Sequence, residues 1–428
     1  MNERDIQFLE SAFKKYYYDH ISEIPVPDDI LHREFGYQKL GVGGMTRHIQ
    51  VKDAGQMRVM FMKTVPSDAY CSNSYYSFPN LDMREKDWRG ADLVFDIDAK
   101  DLDLPCRRDH VLAVCEKCGR SWMEREREEE GKGKQGKEGE RGAGEERTVG
   151  PGRECGSCGQ AGRVRPKSLP CKECIAASKK QVALLNRILR DELGVGPDHM
   201  STYFSGNEGF HVHVSDPRFR GLDARARADL AGYVMLSGLI PEALGVHKTS
   251  GLDRAELPDL GQKGWRGRFA KAAFGSKAKR AETISEVSKA QAGAAYARFE
   301  GIIREVSGDV GAKIDAQVTG DIHRIFRMPY TINSKSGMLK MACAGDADAF
   351  DPYVDAVVLD ADETVSVECG CPVRFGLGSK RFGPYKTGES VELPVYAAAY
   401  AICKGFGRLA ADASGTTSTT STAAANAD

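Results

Sequence analysis

The stretch DLVFDIDAKD, residues 92–101, decides how the rest of the chain is read. Leu93, Phe95 and Ile97 alternate with Asp92, Val94, Asp96 and Asp98, the period of a β-strand with one buried face. Asp96 and Asp98 then point the same way, with Cα atoms roughly 6–7 Å apart. Two carboxylates so placed repel each other unless a cation sits between them. An exposed strand face, or a turn approaching at Lys100, would account for them without function. A divalent metal is the sharper reading, because hard Mg²⁺ or Mn²⁺ takes oxygen ligands from one or two carboxylates plus substrate phosphates.

The remainder of the chain bounds that reading. Its 428 residues, 41% hydrophobic and 28% charged, leave room for a large core and two or three domains. The opening MNERDIQFLE lacks the apolar core of a signal peptide, and no run approaches the ~20 apolar residues of a membrane helix. The cytoplasm is the expected compartment, with no membrane partner. A net charge of −1 excludes a globally basic nucleic-acid binder, so attraction to polyanions must come from local patches.

Seven of the twelve cysteines fall between Cys106 and Cys174. In a cytoplasmic chain, C-x-x-C pairs read as metal ligands rather than a disulfide framework. Four pairs or near-pairs occur: Cys106 with His110, Cys115 with Cys118, Cys155 with Cys158, and Cys171 with Cys174. Eight candidates suggest two tetrahedral zinc sites. Spacing does not give the pairing, although a nested arrangement is natural, with Cys115, Cys118, Cys155 and Cys158 as an inner ribbon. A structural staple outweighs a catalytic zinc, since a four-cysteine site has no open position.

A third isolated acid, Asp315, lies in KIDAQVTGDIHRIFRMPYTINSKSG (313–337) and reads as part of a short strand. Thr319 and Asp321 favour a helix start after it, which would place Arg324 and Arg327 on one helical face, with Lys335 in the next loop. SGNEGFHVHV (205–214) supplies a glycine turn whose backbone N–H groups can face an anion, followed by a strand carrying His211 and His213 on one face. The aromatic-rich segment from Ser67 to Leu81 reads as a surface loop.

DIDAKD, SGNEGFHVHV and KIDAQVT-GDIHRIFRMPYTINSKSG, in that order with a cysteine module after the first, resemble the small catalytic subunit of archaeal and eukaryotic-type DNA primases. REFGY near residue 35 and FGPYKTGESVELPVYAAAYAICKG fit the same family, so the resemblance spans roughly residues 5 to 410. It implies that Asp96, Asp98 and Asp315 bind two Mg²⁺ or Mn²⁺ ions. It also implies that Ser205, Gly206 and His211 hold the phosphates of a nucleoside triphosphate, with Arg327 and Lys335 adding charge and Arg33 near the site. Cys106, His110, Cys171 and Cys174 match the family's zinc knuckle; the ribbon from Cys115 to Cys158 is an elaboration of some members. Asn333 stands where the family commonly has histidine, which leaves a neutral nucleotide contact. Asn207 and Glu208 are less basic than the turn residues of some relatives.

The implied activity is template-directed synthesis of short primers on single-stranded DNA, in a heterodimer with a DNA primase large subunit. The alternatives are a repair polymerase of the same superfamily and a non-catalytic zinc-ribbon nucleic-acid binder. The expected fold is mixed α/β (α+β), with a catalytic core in three parts, residues 1–103, 179–218 and 306–410. Between them lie a zinc module over 104–178, with a charged insert at 124–152 expected to be disordered, and a helical subdomain over 219–305. A low-complexity tail over 411–428 is expected to be unstructured.

Overall fold

The structure is a computed structural model that describes residues 1–123, 155–159, 164–343 and 349–411. The insert at 124–152 and all but the first residue of the tail lie outside the described residues. Mixed α/β architecture is what the described residues adopt.

Two four-stranded antiparallel sheets carry the site. The first runs in the order Ile325–Arg327, Asp68–Ser72, Glu34–Gln38 and Thr46–Gln50. The second runs Met341–Ala342, Met200–Phe204, Gly209–Val214 and Leu93–Asp98. Leu93, Phe95 and Ile97 enter the main core, as their alternation requires. The helix Lys172–Asp191 packs over that sheet, burying Ile175, Val182, Leu185, Ile188 and Leu189 at helical spacing. Val94, on the acid-bearing face, packs with Val318 and Phe326, so this face looks toward the first sheet. The aspartates therefore lie between two sheets rather than on an open surface.

Within 67–81 only residues 77–81 form the expected surface loop; the part before them does not. It forms the inner strand Asp68–Ser72 and the strand Ser74–Tyr76, with Tyr75 and Tyr76 buried. Their hydroxyls made the segment look polar, but the Tyr75 hydroxyl is satisfied inside, donating to Asp92 Oδ2 at 2.9 Å.

The cysteine module is a three-stranded sheet with Val111–Cys115 between Ser121–Met123 and Val164–Ser168. It is joined to the C-terminal sheet by a hydrogen bond from Ser121 Oγ to Gly370 O. That sheet centres on Thr364–Cys371, and the closing helix Val395–Lys404 is buried along its whole length. A separate small core lies among the helices Gly264–Phe274, Lys277–Lys289 and Ala292–Val310. The helix Ala224–Met235, expected to open this subdomain, contributes Ala231 and Val234 to the main core instead. Its fully buried Arg227 donates to Asp92 O at 3.1 Å and Ala91 O at 2.5 Å, tying it to the start of the acid-bearing strand.

Candidate active site

The strand pair fixes two of the acids against the glycine turn. Gly209 stands opposite Asp98 and His211 opposite Asp96. Asp315 joins them through its backbone, donating from N to Asp96 O at 2.9 Å. It does not sit on a strand. It caps the short helix Ala316–Gly320, with Oδ1 accepting from Gln317 N at 2.9 Å and Val318 N at 3.3 Å. The helix expected after Thr319 is also displaced: it ends at Gly320, and Arg327 closes the strand Ile325–Arg327, so Arg324 and Arg327 share no helical face.

Electrostatics bind the three acids into one centre. Burial, and then the Asp98 charge, push the Asp96 carboxyl up to about 7; Asp315 adds to the push, while Lys100 and Arg324 oppose it. Asp96 Oδ1 is buried without a hydrogen bond, and His211 Nε2 lies 3.4 Å from it. Asp98 Oδ2 is held by Lys100 Nζ at 2.5 Å. Asp96 and Asp98 on one strand face, the former with an orphaned buried oxygen, and Asp315 joined to Asp96 through its backbone offer the hard oxygen donors that a divalent cation takes.

The turn from Ser205 to Gly209 is closed by Ser205 N to Gly209 O at 2.8 Å and Gly209 N to Ser205 Oγ at 3.3 Å. Its glycines are steric necessities. A Cβ on Gly209 would lie 2.2 Å from Asp98 Oδ1, and Gly206, at φ +89°, has Asn333 Cβ only 2.8 Å from the same position. Asn333 buttresses the turn: its Nδ2 donates to Ser205 O at 3.1 Å, and its Oδ1 accepts from Lys335 N at 3.0 Å. Ser336 Oγ donates to Gly206 O beside it. Both polar ends of Asn333 are thus committed to the protein, and a free nucleotide contact is not what it offers.

His211 is largely buried, with 13% of its side chain exposed, and its Nδ1 has no hydrogen-bond partner. Burial, then the charges of Lys340, Arg327 and Arg324, hold its pKa well below the ordinary histidine value, so it serves as a neutral imidazole. Arg327 pairs with Asp68 and donates to Ile332 O at 2.9 Å, yet stays within electrostatic reach of His211. Lys335 is exposed in the loop beyond Asn333. Arg33 departs from expectation. Its Nε donates to Asp28 O at 2.8 Å, its NH1 to Ser72 O at 2.9 Å, and its NH2 to Asp92 Oδ2 at 2.8 Å. With every nitrogen engaged internally, Arg33 anchors the strand entrance and is not a phosphate ligand.

The eight zinc-ligand candidates gather into two groups, Cys106–His110–Cys171–Cys174 and Cys115–Cys118–Cys155–Cys158, the nested arrangement. Cys106 and Cys174 Sγ are 3.7 Å apart, Cys115 and Cys158 3.7 Å, and Cys118 and Cys155 3.6 Å. A tetrahedron with metal–sulfur bonds of about 2.3 Å has sulfur–sulfur edges of about 3.8 Å, so both donor sets fit zinc. The first group packs against Ala99, the residue after Asp98, and pins that end of the strand.

Sequence reasoning missed Lys340 and the steric role of Gly209. Lys340 is fully buried, with Nζ 3.0 Å from His213 Nε2. A lone charge inside the apolar run GMLKMACA was the available signal.

The family described as DNA primase small subunit matches residues 161–341. The DNA primase small subunit PriS of Nitrosopumilus maritimus is 46% identical over 404 residues, covering 94% of this chain and 98% of its own length. That of Cenarchaeum symbiosum is 44% identical over 405 residues, covering 95% of this chain and 99% of its own. Alignment with the polymerase domain of Mycobacterium tuberculosis Ligase D in complex with DNA covers 80% of this chain and 83% of that one, at 12% identity and a TM-score of 0.34, too low to add to the fold.

Proposed function

Because this chain belongs to the DNA primase small subunit family, whose members are primer-synthesising nucleotidyltransferases, we propose that Asp96, Asp98 and Asp315 form its nucleotidyl-transfer centre. The observation that carries the reading is the pairing of Asp96, whose buried Oδ1 lacks a hydrogen bond, and Asp98 against a glycine turn suited to phosphate, with Asp315 bonded to the Asp96 backbone. The ions to be held are two Mg²⁺ or Mn²⁺, which when bound lower the pKa of a primer 3′-hydroxyl and stabilise the leaving pyrophosphate. The protein's own part is positioning and charge neutralisation. Ser205 and Gly206 present the turn to the triphosphate, neutral His211 donates a hydrogen bond without adding charge, and Arg327 and Lys335 supply positive potential. Asn333 keeps the turn in shape.

The two cysteine groups are taken as structural zinc sites. The small-subunit description implies a partner, which we take to be the DNA primase large subunit in a heterodimer; single-stranded DNA is the template and nucleoside triphosphates are the substrates. No helix among the described residues is long and apolar enough to cross a membrane. The proposed compartment is the cytoplasm.

A primer-synthesis assay tests the reading, using the full chain alone and with its large subunit, single-stranded DNA, labelled nucleotides and Mn²⁺ or Mg²⁺. Short products made from nucleotides alone are expected. Extension of a supplied primer without initiation would favour the repair-polymerase alternative, and no incorporation by a folded, zinc-loaded protein would sink the catalytic reading.

A further inference from the structure

The tip of the phosphate turn, Asn207–Glu208, carries no cation of its own. Positive charge gathers around it from four separate places in the chain. Lys404, ending the closing helix and only 4% exposed, donates from Nζ to Asn207 Oδ1 at 2.8 Å. Arg107 approaches Glu208 Oε2 at 3.3 Å and Ser168 Oγ at 3.4 Å. Lys167 precedes Ser168 on the ribbon strand, and Lys335 follows Asn333.

Lys167, Lys335 and Lys404 are close enough to influence one another. Burial, partly offset by Glu208, draws Lys404 down to about 8, with the charges of Lys167 and Lys335 adding to the descent. Lys167 is lowered by burial, partly offset by Glu116, with Lys335 adding to the descent. Among the described residues, none of these three lysines has a carboxylate within ion-pair distance; Glu208, the nearest acid to the turn, is taken by Arg107. Glu208 and Glu116 offset these like charges only at a distance, and the remaining repulsion costs free energy that an anion lying among them offsets. The turn begins one residue pair from the acids, since Gly209 faces Asp98. A polyphosphate running from that centre across the turn therefore ends among the lysines.

We infer that Lys167, acting directly, and Lys404, acting through Asn207, supply with Lys335 the counter-charge for the terminal phosphates of the nucleoside triphosphate. This rests on the proposed nucleotidyl-transfer reading and adds two residues to it. Lys404 is a positioning residue, because its ammonium lies behind the turn. Lys167 is partly buried, less so than Lys404.

The test compares binding of a nucleoside triphosphate and its monophosphate by calorimetry, in the full chain with Ca²⁺ to prevent turnover. The variants are Lys167→Met, Lys404→Met, Lys404→Arg and, as a control, exposed Lys386→Met. Lys167→Met and Lys404→Met are expected to weaken triphosphate binding about tenfold, to raise KM alike with kcat within about twofold, and to leave the monophosphate within about twofold. Lys404→Arg should recover most of the loss, and Lys386→Met should behave as wild type. Unchanged triphosphate binding in Lys167→Met, or equal losses of both ligands, overturns the inference while the transfer reading stands. A wild-type protein that binds no triphosphate overturns both.

Discussion

At the scale of single residues, Asp96 and Asp98 are held in a conflict that the proposed cations would resolve. Asp98→Ala removes a carboxylate whose partners are the exposed Lys100 and solvent, so nucleotide incorporation should be lost with the fold intact, as read by primer synthesis and circular dichroism. Asp96 gives a pH signature. Its carboxyl is raised to about 7 by burial and Asp98, so the metal-free folded state binds more protons than the unfolded chain between about pH 4 and 7. Its contribution to stability is therefore best at low pH and is lost as pH rises through 7. The gain in Tm of Asp96→Asn over the metal-free parent should grow from pH 4 to 7 and then level off; a gap independent of pH would refute the assignment. Gly209→Ala must push its Cβ into Asp98 Oδ1 or the Ile97 carbonyl. It should cost about 1–3 kcal/mol in chemical denaturation and abolish synthesis.

Elements show why some of this was legible and some was not. The strand Leu93–Asp98 announces itself, because a period of two survives even with Val94 buried on the second face. The turn at Ser205 was equally plain from its glycines. Asp315 was misread as part of a strand because an aspartate that caps a five-residue helix looks, in sequence, like any acid before an apolar residue. The strands within 67–81 were hidden by tyrosines whose polar partners come from Asp92 and Arg33, remote in sequence. Arg33 itself could not be assigned, since only the fold reveals that its guanidinium is spent. The two cysteine groups make different predictions. Cys171→Ser loosens the group packed on Ala99 and should reduce synthesis on the order of tenfold or more, with loss of one equivalent of zinc. Cys155→Ser disturbs the ribbon, remote from the acids, and should show chiefly as a raised nucleotide KM through Lys167.

At the scale of the whole molecule, the two largest cores among the described residues are of unequal size. The larger joins the N-terminal helix, both site-bearing sheets and the closing helix; the smaller lies within the helical subdomain. The helix Ala224–Met235 belongs to the larger core and is tied to the acid-bearing strand by Arg227, a membership composition alone gave no sign of. Amides of the helices Gly264–Phe274 to Ala292–Val310 should therefore exchange with solvent at lower denaturant than those of Leu93–Asp98. Simultaneous exchange of the two sets would mean one cooperative unit.

The grip of Lys404 on the phosphate turn also has a meaning in time. Asp96 and Lys404 are separated by 308 residues. At a synthesis rate of roughly 5–20 residues per second, about 15–60 s pass between the translation of one and of the other. Throughout that interval a nascent chain carries its acidic strand without the lysine that sets the turn, so its nucleotide site matures only after translation has passed the closing helix.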